Sequence, residues 1–193
     1  TESRMQGRQD SPLTAAGLRQ AFELAGRLRG VPLDEVVTSP APRALRVAEI
    51  VAEAQPRPVP VHPDDRIHEM ALGDLEGLTV DQANALDPDN MQAFFYDPHK
   101  FTPVDGGEDF HQVSARMADF LASLTAEAER CSLSGDERHV LVVSHNITLK
   151  ALFALMDQRP LAMLRDGPPI SQGRLYHAVW HDGRWHIGLH VVE

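Results

Sequence analysis

The chain has 193 residues, with 18 Lys plus Arg against 28 Asp plus Glu and a formal net charge of −10. That balance excludes a surface built to coat nucleic acid and a polybasic membrane anchor. It leaves open a small anionic substrate, because a few arginines in one pocket outweigh a diffuse negative field.

Length and a 42% apolar composition fit a single domain over residues 1–193, large enough to bury a core without staples. One cysteine, Cys131, excludes an intramolecular disulfide framework and suits a reducing, cytoplasmic compartment. No apolar run reaches the ~20 residues needed to span a bilayer. Residues 1–6 are polar and read as free of a signal-peptide core.

In chain order, Thr14 is placed as the N-cap of a helix. Leu18, Ala21, Phe22, Ala25 and Leu28 recur at helical spacing, and Gly30 with Pro32 ends the run. Residues 33–38, with Val36-Val37, predict a short strand. Ser39-Pro40-Ala41-Pro42 turns into a second helix over 43–54, with Leu45, Ala48 and Val51 as its apolar stripe. The proline-rich segment 56–63 predicts a short edge strand. Residues 64–105 form the least regular stretch, expected to cover or rim a site, with a short helix over 79–86 and a Phe94-Phe95-Tyr96 cluster that packs onto the core. Phe110, Val113, Met117, Phe120, Leu121 and Leu124 line one face of a helix over 107–130. Val140-Leu141-Val142-Val143 predicts a strand buried on both faces. A helix over 147–156 follows almost at once.

Asp182-Gly183 signals a hairpin turn. Pairing around it puts Tyr176, Ala178, Trp180, Trp185, Ile187 and Leu189 on one face, and His177, His181, His186 and His190 on a solvated one. Alternation of helices with continuous apolar strands predicts an α/β fold with a largely parallel sheet, whose ligands sit at the carboxyl ends of strands.

Two strand-to-helix junctions carry the polar residues that matter. Thr38-Ser39 leads to Arg43, and Val143-Ser144 leads to His145. Free backbone N–H groups and the helix dipole favour anions there. An arginine can clamp a phosphate or carboxylate bidentately, and a histidine can donate to it. Glu69 is a general acid/base candidate, because a carboxyl group beside an anion site is unfavourable unless it handles a proton. Glu76 reads as a solvated or structural glutamate in preference to a second acid, and Cys131 as having no catalytic role.

With these residues in view, the sequence resembles the histidine phosphatase superfamily, the phosphoglycerate-mutase-like proteins, nearly end to end. Five ordered segments carry the likeness. They are Arg4-Met5-Gln6-Gly7-Arg8-Gln9-Asp10-Ser11-Pro12-Leu13-Thr14 with Gly17; Ser39-Pro40 with Arg43-Ala44; Glu69 with Gly73, Glu76 and Gly77; Gly106-Gly107-Glu108 with Arg116; and Val142-Val143-Ser144-His145. The broad-specificity phosphatases are the branch it most resembles.

The resemblance implies a three-layer α/β fold with a mostly parallel central sheet flanked by helices. It implies that Arg43 clamps phosphoryl oxygens, that His145 hydrogen-bonds the transferring group, that Gln6 touches phosphate or substrate, and that Glu69 protonates the leaving oxygen and then activates water. The implied partner is a small phosphorylated metabolite, with no metal, cofactor, nucleic acid or membrane.

Family members begin with a strand ending in Arg-His-Gly, whose histidine becomes phosphorylated. No Arg-His-Gly occurs in these 193 residues. The chain therefore reads as lacking the first central strand and its nucleophile, with almost no turnover expected of it as written; His68, beside the acid, is poorly placed to substitute. Asn146 and Asp109 also depart from the family pattern, Asn146 in a way expected to narrow the pocket. For the intact protein the expectation is hydrolysis of small organic phosphate monoesters through a phosphohistidine. The alternatives are a phosphoglycerate mutase, which usually carries a longer insertion than 64–105, and a catalytically dead phosphate-binding or interaction protein.

Overall fold

The computed structural model describes residues 4–9 and 11–188. Its central sheet follows from two short β-branched runs. β1 (Glu35–Thr38) lies between β2 (Val61–Pro63) and β3 (Val140–Val143), parallel to both, with Val36 opposite Val61 and Thr38 opposite Val143. Parallel neighbours require a crossover, and helices supply it. α1 (Ala15–Leu28) precedes β1 and α2 (Pro42–Glu53) joins β1 to β2. α5 (Phe110–Ser134) leads into β3, and α6 (Asn146–Met156) leaves it.

Side chains alternate across this sheet and separate two apolar clusters. Val36, Leu141 and Val143 join Ala21, Leu24, Ala25, Leu28, Ala48 and Val51 from α1 and α2. Val37 and Val142 join the larger cluster, built on Phe110, Val113, Met117 and Phe120 of α5 with Ile147, Ala151 and Leu152 of α6. The expected three-layer α/β architecture is present, and β2 takes the predicted edge position.

Local capping agrees with the sequence. Thr14 Oγ1 accepts from Gly17 N at 3.1 Å, and Asp109 with Gln112 closes a capping box at the start of α5. Phe22, placed on the apolar stripe of α1, is instead 61% exposed, and Leu24 takes its place. The 3.6-residue period leaves position 22 beyond the edge of the buried arc.

β3 also departs from expectation. Layers pack on both of its faces, yet all four residues are only half-buried. β1 pairs along one edge, and among the described residues no strand pairs along the other.

Residues 64–105 are more regular than their composition predicted. They hold the expected short helix as α3 (Val80–Leu86), with Thr79 outside it as the N-cap, and α4 (Pro88–Tyr96), capped by Asp87. Ile67, Met70, Leu72, Leu75, Met91, Phe94 and Phe101 are buried in the larger cluster. Phe94 sits in the core against Phe95, Phe101 and Phe110, whereas Tyr96 is 80% exposed.

The predicted hairpin forms from β4 (His177–His181) and β5 (Arg184–Gly188). Asp182 and Gly183 both have positive φ, 51° and 72°, the type I′ geometry that matches the strand twist. Ala178, Trp185 and Ile187 pack on the larger cluster, while His177, His181 and His186 face solvent. Leu189 and His190 lie outside the described residues. No helix among the described residues is long and apolar enough to cross a membrane.

Candidate active site

The site begins where β1 and β3 end. Ser39 follows β1, is fully buried, and donates its backbone N–H to Val143 O at 2.8 Å. This ties the two strand ends together and brings residues far apart in sequence within reach. His145 occupies the N-cap position of α6. Its Nε2 lies 2.8 Å from Ser39 Oγ, and Arg43 Nη2 lies 3.4 Å from its Nδ1.

A guanidinium only donates, so Nδ1 is the acceptor and the ring proton sits on Nε2, donating to Ser39. Burial pushes the His145 imidazole down to about 3, aided by the charges of Arg43, His68 and Arg116. The ring is neutral at physiological pH.

Arg43 stands in the first turn of α2, behind Pro42, a residue preorganised for a helix start. Its Nη2 donates to Gly7 O at 2.8 Å and its Nη1 to Gln9 O at 3.1 Å. The 7–9 turn is held from below by Glu76. That carboxylate accepts from Gly7 N (3.2 Å), Arg8 N (2.7 Å) and Gln9 N (2.9 Å). Of the two readings left open for Glu76, solvated or structural, these bonds select the structural one. Only glycine fits at position 7, where a Cβ would stand 2.3 Å from Met70 O. Gln6 Nε2 donates to Ser11 Oγ at 2.7 Å and to the same Gln9 carbonyl at 3.3 Å, which sets its amide beside the Arg43 guanidinium.

Glu69 is 6% exposed, and the first turn of α6 holds its carboxyl group. Oε1 faces Met70 N (2.9 Å), Thr148 N (3.3 Å) and Thr148 Oγ1 (3.0 Å), and Oε2 faces Ile147 N (3.3 Å). Burial raises its pKa, and these hydrogen bonds only partly oppose that. A carboxyl group so placed holds its proton to higher pH than an exposed one.

Around these three residues lies a cationic rim. Burial pushes the His68 pKa down, followed by the charge of Arg8; Arg116 and Arg43 push the same way, and Asp65 opposes them. Arg116 is paired with Glu108 at 3.0 Å, and Arg8 reaches the same carboxylate at 3.2 Å. A local positive field thus sits inside a chain of net charge −10.

The structure brings Arg43 and His145 into direct contact and holds Glu69 on the same helix turn that His145 caps. Asn146 Nδ2 donates to Ile170 O at 3.1 Å. Sequence reasoning gave no role to Thr148, a fully buried polar residue between the apolar Ile147 and Leu149 in the first turn of α6. The signal was present: a hydroxyl three residues after a strand-end histidine. Among the described residues, no group of three or more His, Cys, Asp or Glu converges as a metal site.

A model of the histidine phosphatase superfamily (branch 1) matches residues 1–192, and the chain belongs to that family. Over 151 residues it is 32% identical to a probable phosphoglycerate mutase, GpmB, of Escherichia fergusonii. That match covers 78% of this chain but 66% of the relative, so the chain spans just under two thirds of that protein's length. Among solved structures, YhfR of Bacillus stearothermophilus superposes with a TM-score of 0.84 at 35% identity, over 96% of this chain and 87% of its own. The mycobacterial glucosyl-3-phosphoglycerate phosphatase Rv2419c, solved with inorganic phosphate, gives 0.82 at 28% identity, over 98% of this chain and 91% of its own.

Proposed function

We propose that the protein these residues belong to hydrolyses small organic phosphate monoesters, with Arg43, His145 and Glu69 around one phosphoryl group. The observation that carries this reading is the contact of the Arg43 guanidinium with the His145 ring at adjacent parallel strand ends, beside a buried carboxyl of raised pKa. Arg43 offers N–H groups to phosphoryl oxygens, and Gln6 approaches from the same side. His145 is held neutral in the free site first by burial and then by the charges of Arg43, His68 and Arg116; a bound anion offsets those charges and favours the protonated, donating ring.

Glu69 gives its proton to the leaving oxygen as the phosphorus–oxygen bond breaks. As a carboxylate it then takes a proton from the water that attacks the phosphoryl–imidazole bond. The attacking imidazole comes in this reading from an Arg-His-Gly strand outside the 193 residues. The chain alone binds phosphate with almost no turnover.

Likeness to a probable phosphoglycerate mutase supports a second reading, in which the phosphoryl group passes to another hydroxyl. Release of free phosphate against isomerisation of phosphoglycerate separates the two.

The primary test measures inorganic phosphate binding to the 193-residue protein by calorimetry. Arg43→Ala weakens it roughly 10- to 100-fold, the worth of a hydrogen bond to a charged group. p-Nitrophenyl phosphate turnover then appears only in an upstream-extended protein carrying Arg-His-Gly. Phosphate binding untouched by Arg43→Ala refutes the pocket, and brisk turnover by the 193 residues alone refutes the nucleophile.

A further inference from the structure

We infer that Thr148 is a positioning residue that gives the two oxygens of Glu69 different jobs, Oε1 as fixed acceptor and Oε2 as bearer of the transferable proton. The inference rests on the role proposed for Glu69 above and adds a residue and an atom to it.

Thr148 is fully buried, and its side chain has two acceptors in range, His68 O at 2.7 Å and Glu69 Oε1 at 3.0 Å. A hydroxyl has one proton. His68 O already receives Arg116 Nη1 at 2.7 Å, a charge-assisted hydrogen bond. That carbonyl keeps a donor in Arg116 when the threonine proton turns to Oε1, the charged acceptor once Glu69 has ionised.

Oε1 then has three donors: the Met70 and Thr148 amides and the Thr148 hydroxyl. Oε2 has one amide, Ile147 N at 3.3 Å. Placing the carboxyl proton on Oε1 would set an O–H against donors already aimed at it. On Oε2 the proton meets one weak donor and remains transferable. The same donors hold the carboxylate once the proton has gone, so Glu69 need not reorient between acid and base.

The charged groups around this carboxyl are Arg8 from the 7–9 turn, whose Nε lies 3.5 Å from Glu69 O, His68 on its own segment, and Arg116 of α5. His145 caps α6, and the Arg165 guanidinium, in the 3₁₀ segment Leu161–Asp166, feels the Glu69 charge. A Thr148 substitution adds or removes no charge among them, and because Thr148→Val also takes a donor from His68 O, rescue by Thr148→Ser is what assigns a change in Glu69 titration to the hydroxyl.

The test follows the Glu69 side-chain carboxyl carbon by ¹³C NMR against pH in the free 193-residue protein, which needs neither phosphate nor turnover. Thr148→Val removes a hydrogen bond that favours the charged form, so the Glu69 midpoint moves to higher pH, and Thr148→Ser restores it. Thr148→Ala serves as a second hydroxyl-less variant should the valine protein fold poorly. In an upstream-extended enzyme the basic limb of the kcat profile moves up with Val or Ala and returns with Ser. Equal midpoints in wild type and a folded Val or Ala variant overturn the inference, as does a Ser variant that titrates like Val. Loss of the phosphate result with this shift intact sinks the proposed function alone; the reverse sinks only the role of Thr148.

Discussion

His145 shows how one side chain's surroundings set its chemistry. A buried, neutral imidazole between Ser39 Oγ and the Arg43 guanidinium is stable only while it stays uncharged. Its folded-state pKa of about 3 lies below the ordinary 6.5. As pH falls through 6.5 the unfolded chain binds a proton that the folded one refuses until about 3, so stability is lost over that interval. Urea midpoints should therefore drop between pH 7 and pH 5 by more in wild type than in His145→Gln. Glu69 works in the opposite sense. Its raised pKa means that the folded state holds the proton more tightly, so its contribution is present at low pH and is lost as pH rises through the folded value. Glu69→Gln should flatten the alkaline side of the stability profile, because the neutral amide never acquires the buried charge.

At the scale of an element, the 7–9 turn links the acid segment to the arginine. Glu76 holds three successive amides of the turn, and the turn presents the Gly7 and Gln9 carbonyls to Arg43. Glu76→Ala leaves those donors without their acceptor, at a cost of about 1–3 kcal/mol. Hydrogen exchange of the Gly7, Arg8 and Gln9 amides should quicken first, and phosphate binding should weaken although Glu76 touches no phosphate. Unchanged exchange at those amides would show that the turn holds itself. α5 gives a simpler case. Its Asp109–Gln112 capping box implies that Asp109→Ala costs about 1 kcal/mol in a thermal melt, with phosphate affinity unaffected.

For the whole molecule, a net charge of −10 surrounds a site where Arg8, Arg43 and Arg116 all act on the His68 ring. Local charge outweighs the distant field once salt screens beyond ~10 Å. Arg8 is 44% exposed at its side chain and acts on an anion through solvent as well as directly. Arg8→Ala should weaken phosphate binding a few-fold at low salt, and the difference should shrink as sodium chloride rises. A salt-independent difference would make Arg8 a direct ligand instead.

Read alone, the order of residues settled the class of fold, the helix cap at Thr14, the short helix near 79–86, the edge strand, the Asp182-Gly183 hairpin, and the residue types gathered at the strand ends. Each rests on local chemistry: apolar periodicity, capping hydroxyls, a turn needing positive φ, or a motif read in order. Packing in three dimensions turned Phe22 toward solvent, made α4 the organiser of the region around Phe94, and left β3 half-buried. It alone set the His145 proton on Nε2, turned Glu76 toward the 7–9 amides, and placed Thr148 against Glu69. Those outcomes depend on which groups from distant segments share a buried volume, and a hydrogen bond or a desolvated charge has no signature in the spacing of residues along a chain.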